Sequence, residues 1–361
     1  MMEKKEILRW FGIESDSLSI TPTGNGHIND TFKVSAPDLP GSGYILQHIN
    51  HNVFTDVDTL QRNIETVTDH LRRKLEKAGE QDIDRKVIRL IPDRKTGKTY
   101  LFDGDSYWRV ELLIDNAETR EAVTPENARH AGEAFGRFQE MLSDLPAELK
   151  ESIPDFHNME LRLSQLREAA EADRAGRRAS VEWLIEELEK RSSHACLAER
   201  LHREGKLPKR VCHCDTKINN MLFDRDGEVL CVIDLDTVMP SFVFSDYGDF
   251  LRTAANKGDE DDHDLSHVEW DMEIFKAFTE GYLASAGGFL TDVEIANLPY
   301  AAERFAYMQT VRFLTDYLNG DVYYKINYPE HNLVRSKAQF RLLQEIEAHL
   351  PEMEAFIASI R

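Results

Sequence analysis

Hydrophobic and polar positions follow two different rhythms along this chain. Over about the first 115 residues, short apolar runs alternate with turn residues, a pattern that predicts strands. Ser19 to Val34, SITPTGNGHINDTFKV, has strand-like ends around a glycine-rich centre, and Tyr44–Ile49 reads as a further strand. Asp56 to Ala78 breaks the rhythm. Ile64, Val67 and Leu71 recur there at helical spacing, with charges spread over one face. The run Lys86–Ile91 returns to the strand pattern and ends at Pro92-Asp93. KTYLFDGDSYWRVELLID then predicts two strands around the turn Asp103-Gly104.

Beyond Asp115 the texture is helical. Thr124 precedes Pro125 and Glu126, an N-cap followed by proline at the first helical position. The pattern predicts helices to about Leu145, over Asn158–Ala172 and over Ala179–Leu201. One more hairpin interrupts them, with strands at Met221–Phe223 and Val229–Asp234 around the turn Asp224–Gly227. Helices resume to the end. The expected fold class is α+β with two lobes, a small mostly-β lobe over 1–114 and a larger, mainly helical lobe over 115–361. Clefts between lobes are the usual place for a small ligand.

Composition narrows the partners. Of 361 residues, 65 are acidic and 44 basic, for a net charge of -21. Such a surface repels phosphate backbones and anionic headgroups, so neither nucleic acid nor membrane is expected as a partner. No run approaches the ~18 apolar residues of a membrane span, and MMEKKEILRWFGIESDS lacks a secretory apolar stretch. The expected location is cytoplasmic. Cys196, Cys212, Cys214 and Cys231 read as reduced thiols. Cys212-His213-Cys214 lacks the second Cys/His pair that a zinc site requires. The acidic run Asp259–Asp264 reads as a solvated loop, because it lacks the alternating ligands and turn glycine of a calcium loop.

The chemistry concentrates in VCHCDTKINNMLF, residues 211–223. Asp215 follows a strand, Asn220 opens the next, and Asp234 ends the partner strand of that hairpin. The spacing predicts that these oxygen-bearing side chains converge at one end of the hairpin. Asn and Asp oxygens are hard donors suited to Mg²⁺, which is commonly shared with substrate phosphates. Asp215 is then free to accept a proton from an attacking hydroxyl, and Lys217 offers a compact positive charge to a transferring phosphoryl group.

His213-x-Asp215-x-x-x-x-Asn220, followed by Val232-Ile233-Asp234, resembles the catalytic loop and metal aspartate of the protein-kinase-like phosphotransferases, which include aminoglycoside and choline kinases. The longer strings DTKINNMLFD, VIDLDTVMP, GNGHINDTF and RFLTDYLNGDVYYK are similar to the bacterial N-acetylhexosamine 1-kinases, over nearly the whole chain. The resemblance implies a protein-kinase-like fold, ATP and Mg²⁺ as cofactors, and an N-acetylhexosamine phosphorylated at its anomeric hydroxyl. It makes the first lobe the nucleotide-binding one and the second the catalytic and sugar-binding one. Asp215 would be the general base, with Lys217 beside it. Asn220 and Asp234 would hold the metal, and Asp236 either joins them or supports them. Gly24, Gly26 and His27 would cover the phosphates, although two glycines also suit a tight hairpin turn. Glu111 to Ile114 would be the segment facing adenine. Arg312, Tyr323, Tyr324 and Thr237 would contact the sugar, while His213 and Asp246 would brace the catalytic loop.

One position departs from the kinase pattern. The third strand carries Gln47 where kinases place a lysine paired with a helix glutamate, for which Glu65 is the helix acid here. Gln47, Lys33 and Lys217 are the candidates for its task. The sequence also fits two rival functions: a kinase of the same fold for another small hydroxyl compound, and a non-catalytic nucleotide or sugar sensor.

Overall fold

The alternation in the first third does produce a sheet. The computed structural model describes residues 2–24, 28–39, 41 and 43–361. In chain order it begins with helix α1 (Lys4–Trp10), strands β1 (Ser19–Pro22), β2 (Asp30–Ser35) and β3 (Tyr44–Ile49), then helices α2 (Val57–Lys77) and α3 (Ile83–Lys86). Strands β4 (Tyr100–Phe102) and β5 (Tyr107–Leu112) precede helices α4 (Pro125–Leu142), α5 (Met159–Ala172), α6 (Arg178–Ala195) and α7 (Leu197–Arg203). Strands β6 (Arg210–Cys212), β7 (Met221–Phe223), β8 (Val229–Val232) and β9 (Met239–Ser241) follow. Helices α8 (Phe244–Ala254), α9 (Met272–Ala286), α10 (Asp292–Ala296), α11 (Leu298–Asn319) and α12 (His331–Ile360) complete the chain. No described helix is long and apolar enough to cross a membrane.

The contacts divide this α+β chain into two units whose limits differ from a single cut after residue 114. One unit takes Met1–Arg120, Met141–Pro154 and Asn219–Met239; the other takes Glu121–Glu140, Asp155–Ile218 and Pro240–Arg361. The chain therefore revisits the first unit twice.

Among the described residues of the first unit, β1-β2-β3-β5-β4 form one sheet with every neighbouring pair antiparallel. Successive side chains of a strand point to opposite faces, so register decides what each face carries. Val34, Leu46, Trp108 and Val110 pack against Ile7 and Leu8 of α1 and Phe11 just after it in one apolar cluster. The other face carries the cross-strand row Thr31, Gln47, Arg109, since Thr31 pairs with Gln47 and Gln47 with Arg109.

Helix α2 is amphipathic as its spacing predicts, with Leu60, Ile64, Val67, Leu71 and Leu75 buried. Its N-cap is Asp56, whose carboxylate accepts the Thr59 N–H at 2.9 Å and the Thr59 hydroxyl at 2.7 Å. These donors hold the Asp56 carboxyl below its usual range. A depressed carboxyl pKa contributes stability above its unfolded value and loses it as the pH falls through the folded one. Asp56→Ala should lower stability by about 1 kcal/mol near neutral pH, read as a smaller urea midpoint, and the deficit should shrink toward pH 3.

The run Lys86–Ile91 does not form the expected strand. Residues Ile83–Lys86 make the short helix α3, and Pro92 stops the extension, leaving only a bridge from Leu90 to Glu111. Two backbone bonds, Ile91 N–H to Val110 O and Leu112 N–H to Arg89 O, both 2.9 Å, still tie this segment to β5. Hairpin β7–β8 forms where expected, with Met221 opposite Val232.

The second unit is helical. Helix α11 is buried nearly all round, and the α8 backbone comes so close to it that a Cβ on Gly248 would lie 2.2 Å from the Ala301 carbonyl oxygen. The helix expected over Ala179–Leu201 is two helices meeting at Cys196. The Tyr300 hydroxyl spans the break, donating to the Ala195 carbonyl at 2.7 Å and accepting the Ala198 N–H at 3.2 Å. A tertiary partner thus satisfies the backbone groups that the break exposes. All four cysteines are free thiols.

Candidate functional site

In the first unit, hairpin register assembles the metal candidates. Asn220 immediately precedes Met221, and its carbonyl accepts the Ile233 N–H at 2.9 Å. Asn220 and Asp234 therefore stand at the same end of the β7–β8 ribbon. Asp234 has φ 59 and ψ 56, a left-handed conformation that costs a non-glycine residue energy and recurs at functional turns. It starts the 3-10 turn Leu235–Thr237, in which Asp236 and Thr237 are both buried. Among the described residues, no three His, Cys, Asp or Glu side chains gather as a metal-holding group.

Both carboxylate oxygens of Asp236 and its carbonyl meet protein groups. One carboxylate oxygen meets the Arg109 guanidinium, the other accepts the Asn29 amide, and the Asp236 carbonyl accepts the Ser152 hydroxyl at 3.0 Å. Asn29 in turn accepts the Asn50 N–H at 2.9 Å. On the sheet, Gln47 accepts the Arg109 Nε–H at 2.7 Å and donates to the Thr31 hydroxyl at 3.3 Å. Arg109 also faces Glu111 at 3.2 Å and is 1% exposed. Burial works to discharge this guanidinium, but the carboxylates of Asp236 and Glu111 hold its pKa above the usual value, so it stays charged. Glu111 moves up from its ordinary value through burial, against the pull of Arg109.

The remaining first-unit candidates are less committed. Gly24 has φ +77, the left-handed region that favours glycine, with open space where a side chain would project. Gly26 and His27 lie outside the described residues. Ile114 follows β5 and is half-buried. Glu65 accepts the Thr99 hydroxyl at 2.6 Å and Lys33 is exposed, so the third strand's Gln47 has Arg109 as its charged partner.

In the second unit, the loop after β6 is built around a buried carboxylate. Asp246, on the first turn of α8, accepts the N–H groups of His213 at 2.9 Å and Cys214 at 2.8 Å, and the Gln139 amide at 2.7 Å. Its carbonyl accepts the Thr216 hydroxyl at 2.6 Å. His213 is fully buried with its ring edge-on to Phe135 and Phe138, and its Nδ1 accepts the Asp215 N–H at 3.3 Å. Asp215 forms an ion pair with Lys217, Nζ to Oδ1 at 2.9 Å. Burial tends to lower the Lys217 pKa, yet the carboxylates of Asp215 and Asp249 keep it above the usual value. Lys217 is therefore a fixed cation at neutral pH. Asp249 itself is bound by Arg252 at 3.0 Å.

The C-terminal candidates sit in an arginine-rich aromatic cluster of the same unit. The Arg312 guanidinium lies 5.4 Å from the Phe156 ring and 5.6 Å from the Tyr324 ring. Arg162 donates to the carbonyls of Asp155 at 3.1 Å and Phe156 at 2.8 Å. The Asp316 carboxylate pins the loop that presents the tyrosines, accepting the N–H groups of Val322, Tyr323 and Tyr324 at 2.9 Å each. Tyr323 projects outward at 65% exposure, whereas the Tyr324 hydroxyl is buried with no hydrogen-bond partner.

Burial and the guanidinium groups of Arg312, Arg304 and Arg162 push His157 well below its ordinary pKa, so the ring is neutral. The folded protein then refuses a proton that the unfolded chain accepts near pH 6.5, and stability falls as the pH drops below that value. His157→Phe should flatten this slope, by up to about 1.4 kcal/mol per pH unit, in urea midpoints compared between pH 7 and pH 5.

Arg109, Asn29, Arg162 and His157 escape the sequence reading. Only Arg109 carried a signal, since YWRVEL alternates and places Arg109 with Glu111 opposite the core-facing Trp108 and Val110.

Comparison with known proteins shows the family and the fold. The phosphotransferase enzyme family (APH) matches residues 19–287. A crystal structure of an aminoglycoside phosphotransferase from Alicyclobacillus acidocaldarius superposes with TM-score 0.59 at 14% identity, over 100% of this chain and 96% of that one. Choline kinase from Cryptosporidium parvum gives 0.58 at 14% identity, over 98% and 96%. Spectinomycin phosphotransferase, solved with ADP and spectinomycin, gives 0.56 at 13% identity, over 98% and 99%.

Proposed function

This chain belongs to the phosphotransferase enzyme family, and from that premise we propose that it transfers the γ-phosphate of ATP to the anomeric hydroxyl of an N-acetylhexosamine. The observation that carries the choice of acceptor is the cluster of Arg162, Arg312, Phe156 and Tyr324. Two guanidinium groups beside a neutral His157 repel an amino alcohol or an aminoglycoside cation. They suit a neutral polyol whose acetamido carbonyl accepts their N–H groups, with aromatic rings against the sugar face. The Tyr324 hydroxyl, buried without a partner, is a further donor available to such a ligand.

Asp215 takes the proton of the anomeric hydroxyl as that oxygen bonds to the γ-phosphorus, and the bond to the β–γ bridging oxygen breaks to release ADP. An anomeric hydroxyl is more acidic than an ordinary alcohol, so a carboxylate base suffices. Lys217 holds the Asp215 carboxylate in place and adds positive charge beside it. Asn220 and Asp234 supply hard oxygens at one ribbon end and would hold Mg²⁺, which when bound neutralises charge on the phosphates. Asp236 supports that turn through Arg109 and Asn29.

The test is ATP consumption with a panel of acceptors: N-acetylglucosamine, N-acetylgalactosamine, glucose, galactose, choline and kanamycin. Consumption confined to the acetylated hexoses, with a phosphorus NMR signal coupled to the anomeric proton, is the expected result. Turnover of choline or kanamycin alone would remove the acceptor assignment while leaving the family chemistry intact.

A further inference from the structure

A kinase-type site needs a fixed cation on the sheet face that looks toward the nucleotide phosphates, and the third strand of this protein offers only the neutral Gln47. The cation is one strand over. Gln47 pairs in register with Arg109 of β5, and the two side chains share a 2.7 Å hydrogen bond from Nε–H to Oε1. Glu65, the acid on the helix, is turned to Thr99 and forms no clamp with this position.

We propose that Arg109 performs the positioning task of the missing strand lysine, by fixing Gln47 and Asp236. This rests on the kinase reading above. Arg109 is a positioning residue, because at 1% exposure its guanidinium reaches other groups only through its neighbours. Its planar fork is suited to the work. Nε–H fixes the Gln47 amide, whose other end is taken by Thr31, and a terminal nitrogen holds Asp236. Asp236 in turn binds Asn29 in the β1–β2 connection and Ser152 through its carbonyl. One guanidinium therefore connects the sheet, Asn29 just before β2 and the turn that begins at Asp234. A lysine ammonium also has donors for two partners, but they turn on a flexible stem, whereas the guanidinium fork holds its directions in one plane.

The arrangement also constrains what substitution does. A guanidinium buried against Asp236 and Glu111 leaves both carboxylates uncompensated when it is removed. A purely structural role predicts loss of stability and nothing specific to nucleotide. A positioning role predicts an effect on the nucleotide side that a relocated cation repairs.

The experiment compares Arg109→Gln, the pair Gln47→Lys/Arg109→Gln and Arg109→Lys with the wild type. ADP affinity is measured by calorimetry with and without MgCl₂ and no acceptor, alongside thermal melting and steady-state kinetics. In Arg109→Gln, ADP affinity in MgCl₂ should fall at least tenfold and kcat at least tenfold, with acceptor KM within twofold of wild type. The swapped pair, which returns a lysine to the third strand, should recover at least fivefold of the lost affinity. Should Arg109→Gln not fold, Arg109→Lys carries the test, with a rise of fivefold or more in the ADP dissociation constant expected. A folded Arg109→Gln, or in its place Arg109→Lys, with wild-type ADP affinity and kcat overturns the proposal. So does a folded swapped pair that binds ADP no better than Arg109→Gln. A wild type that binds ADP yet phosphorylates no sugar would sink the acceptor assignment alone, because the ADP series still reads Arg109.

Discussion

Asp215→Asn should give a folded protein that still binds ADP and turns over its acceptor about 10²- to 10⁴-fold more slowly, the range that general-base catalysis contributes. The side chain keeps its size, and the N–H of residue 215 still reaches Nδ1 of the buried His213. What disappears is the negative charge, and with it both the capacity to take a proton and the 2.9 Å ion pair with Lys217. Lys217 remains compensated in part by Asp249, so its loss of a partner does not leave an isolated cation. The measurement is kcat alongside a melting curve and an ADP titration. Full turnover in a folded variant would take Asp215 out of the mechanism. Collapse of ADP binding together with turnover would instead point to a structural defect.

Asp246→Ala should be the most destabilising single change around the loop after β6. Its carboxylate satisfies two backbone N–H groups and the Gln139 amide in a site with no solvent access. Truncation strands three donors at once, and each buried unsatisfied donor costs about 1–3 kcal/mol before any relaxation. A loss of roughly 3 kcal/mol or more is expected in the urea midpoint, with activity falling in parallel because residues 213–216 lose their anchor. Asp246→Asn retains one acceptor oxygen and should recover part of the stability. If Asp246→Ala melted like the wild type, the buried hydrogen bonds of Asp246 would not be what holds the loop.

The local pattern of this chain was legible wherever a periodic face was long. Alternation over Ser19–Val34, Tyr44–Ile49 and Lys98–Asp115 predicts the strands of the sheet, and the spacing of Ile64, Val67 and Leu71 predicts α2. Turn chemistry gave both hairpins, since Gly104 and Gly227 adopt positive φ where Asp-Gly pairs were read as turns. The same reading failed at Lys86–Ile91, where α3 and Pro92 leave only a bridge from Leu90 to Glu111, and at Cys196, where the Tyr300 hydroxyl, far along the chain, takes up the backbone groups of a break.

The division into units shows the same limit at larger scale. Sequence texture changes once, near Asp115, whereas the folded chain returns to the first unit at 141–154 and 219–239. Contacts, not local composition, decide which unit a segment joins.

By itself, the sequence determined the α+β class, the strands of the first sheet and the β7–β8 hairpin with Asn220 and Asp234 at its end, because these follow from period, turn residues and short chain separations. Only the tertiary structure decided that Arg109 answers the uncharged Gln47, that Asp236 is bound by Arg109 and Asn29, and that Arg162 and His157 accompany Arg312 and Tyr324. Each of those depends on cross-strand register or on the burial of a charge beside residues remote along the chain, and a linear pattern encodes neither.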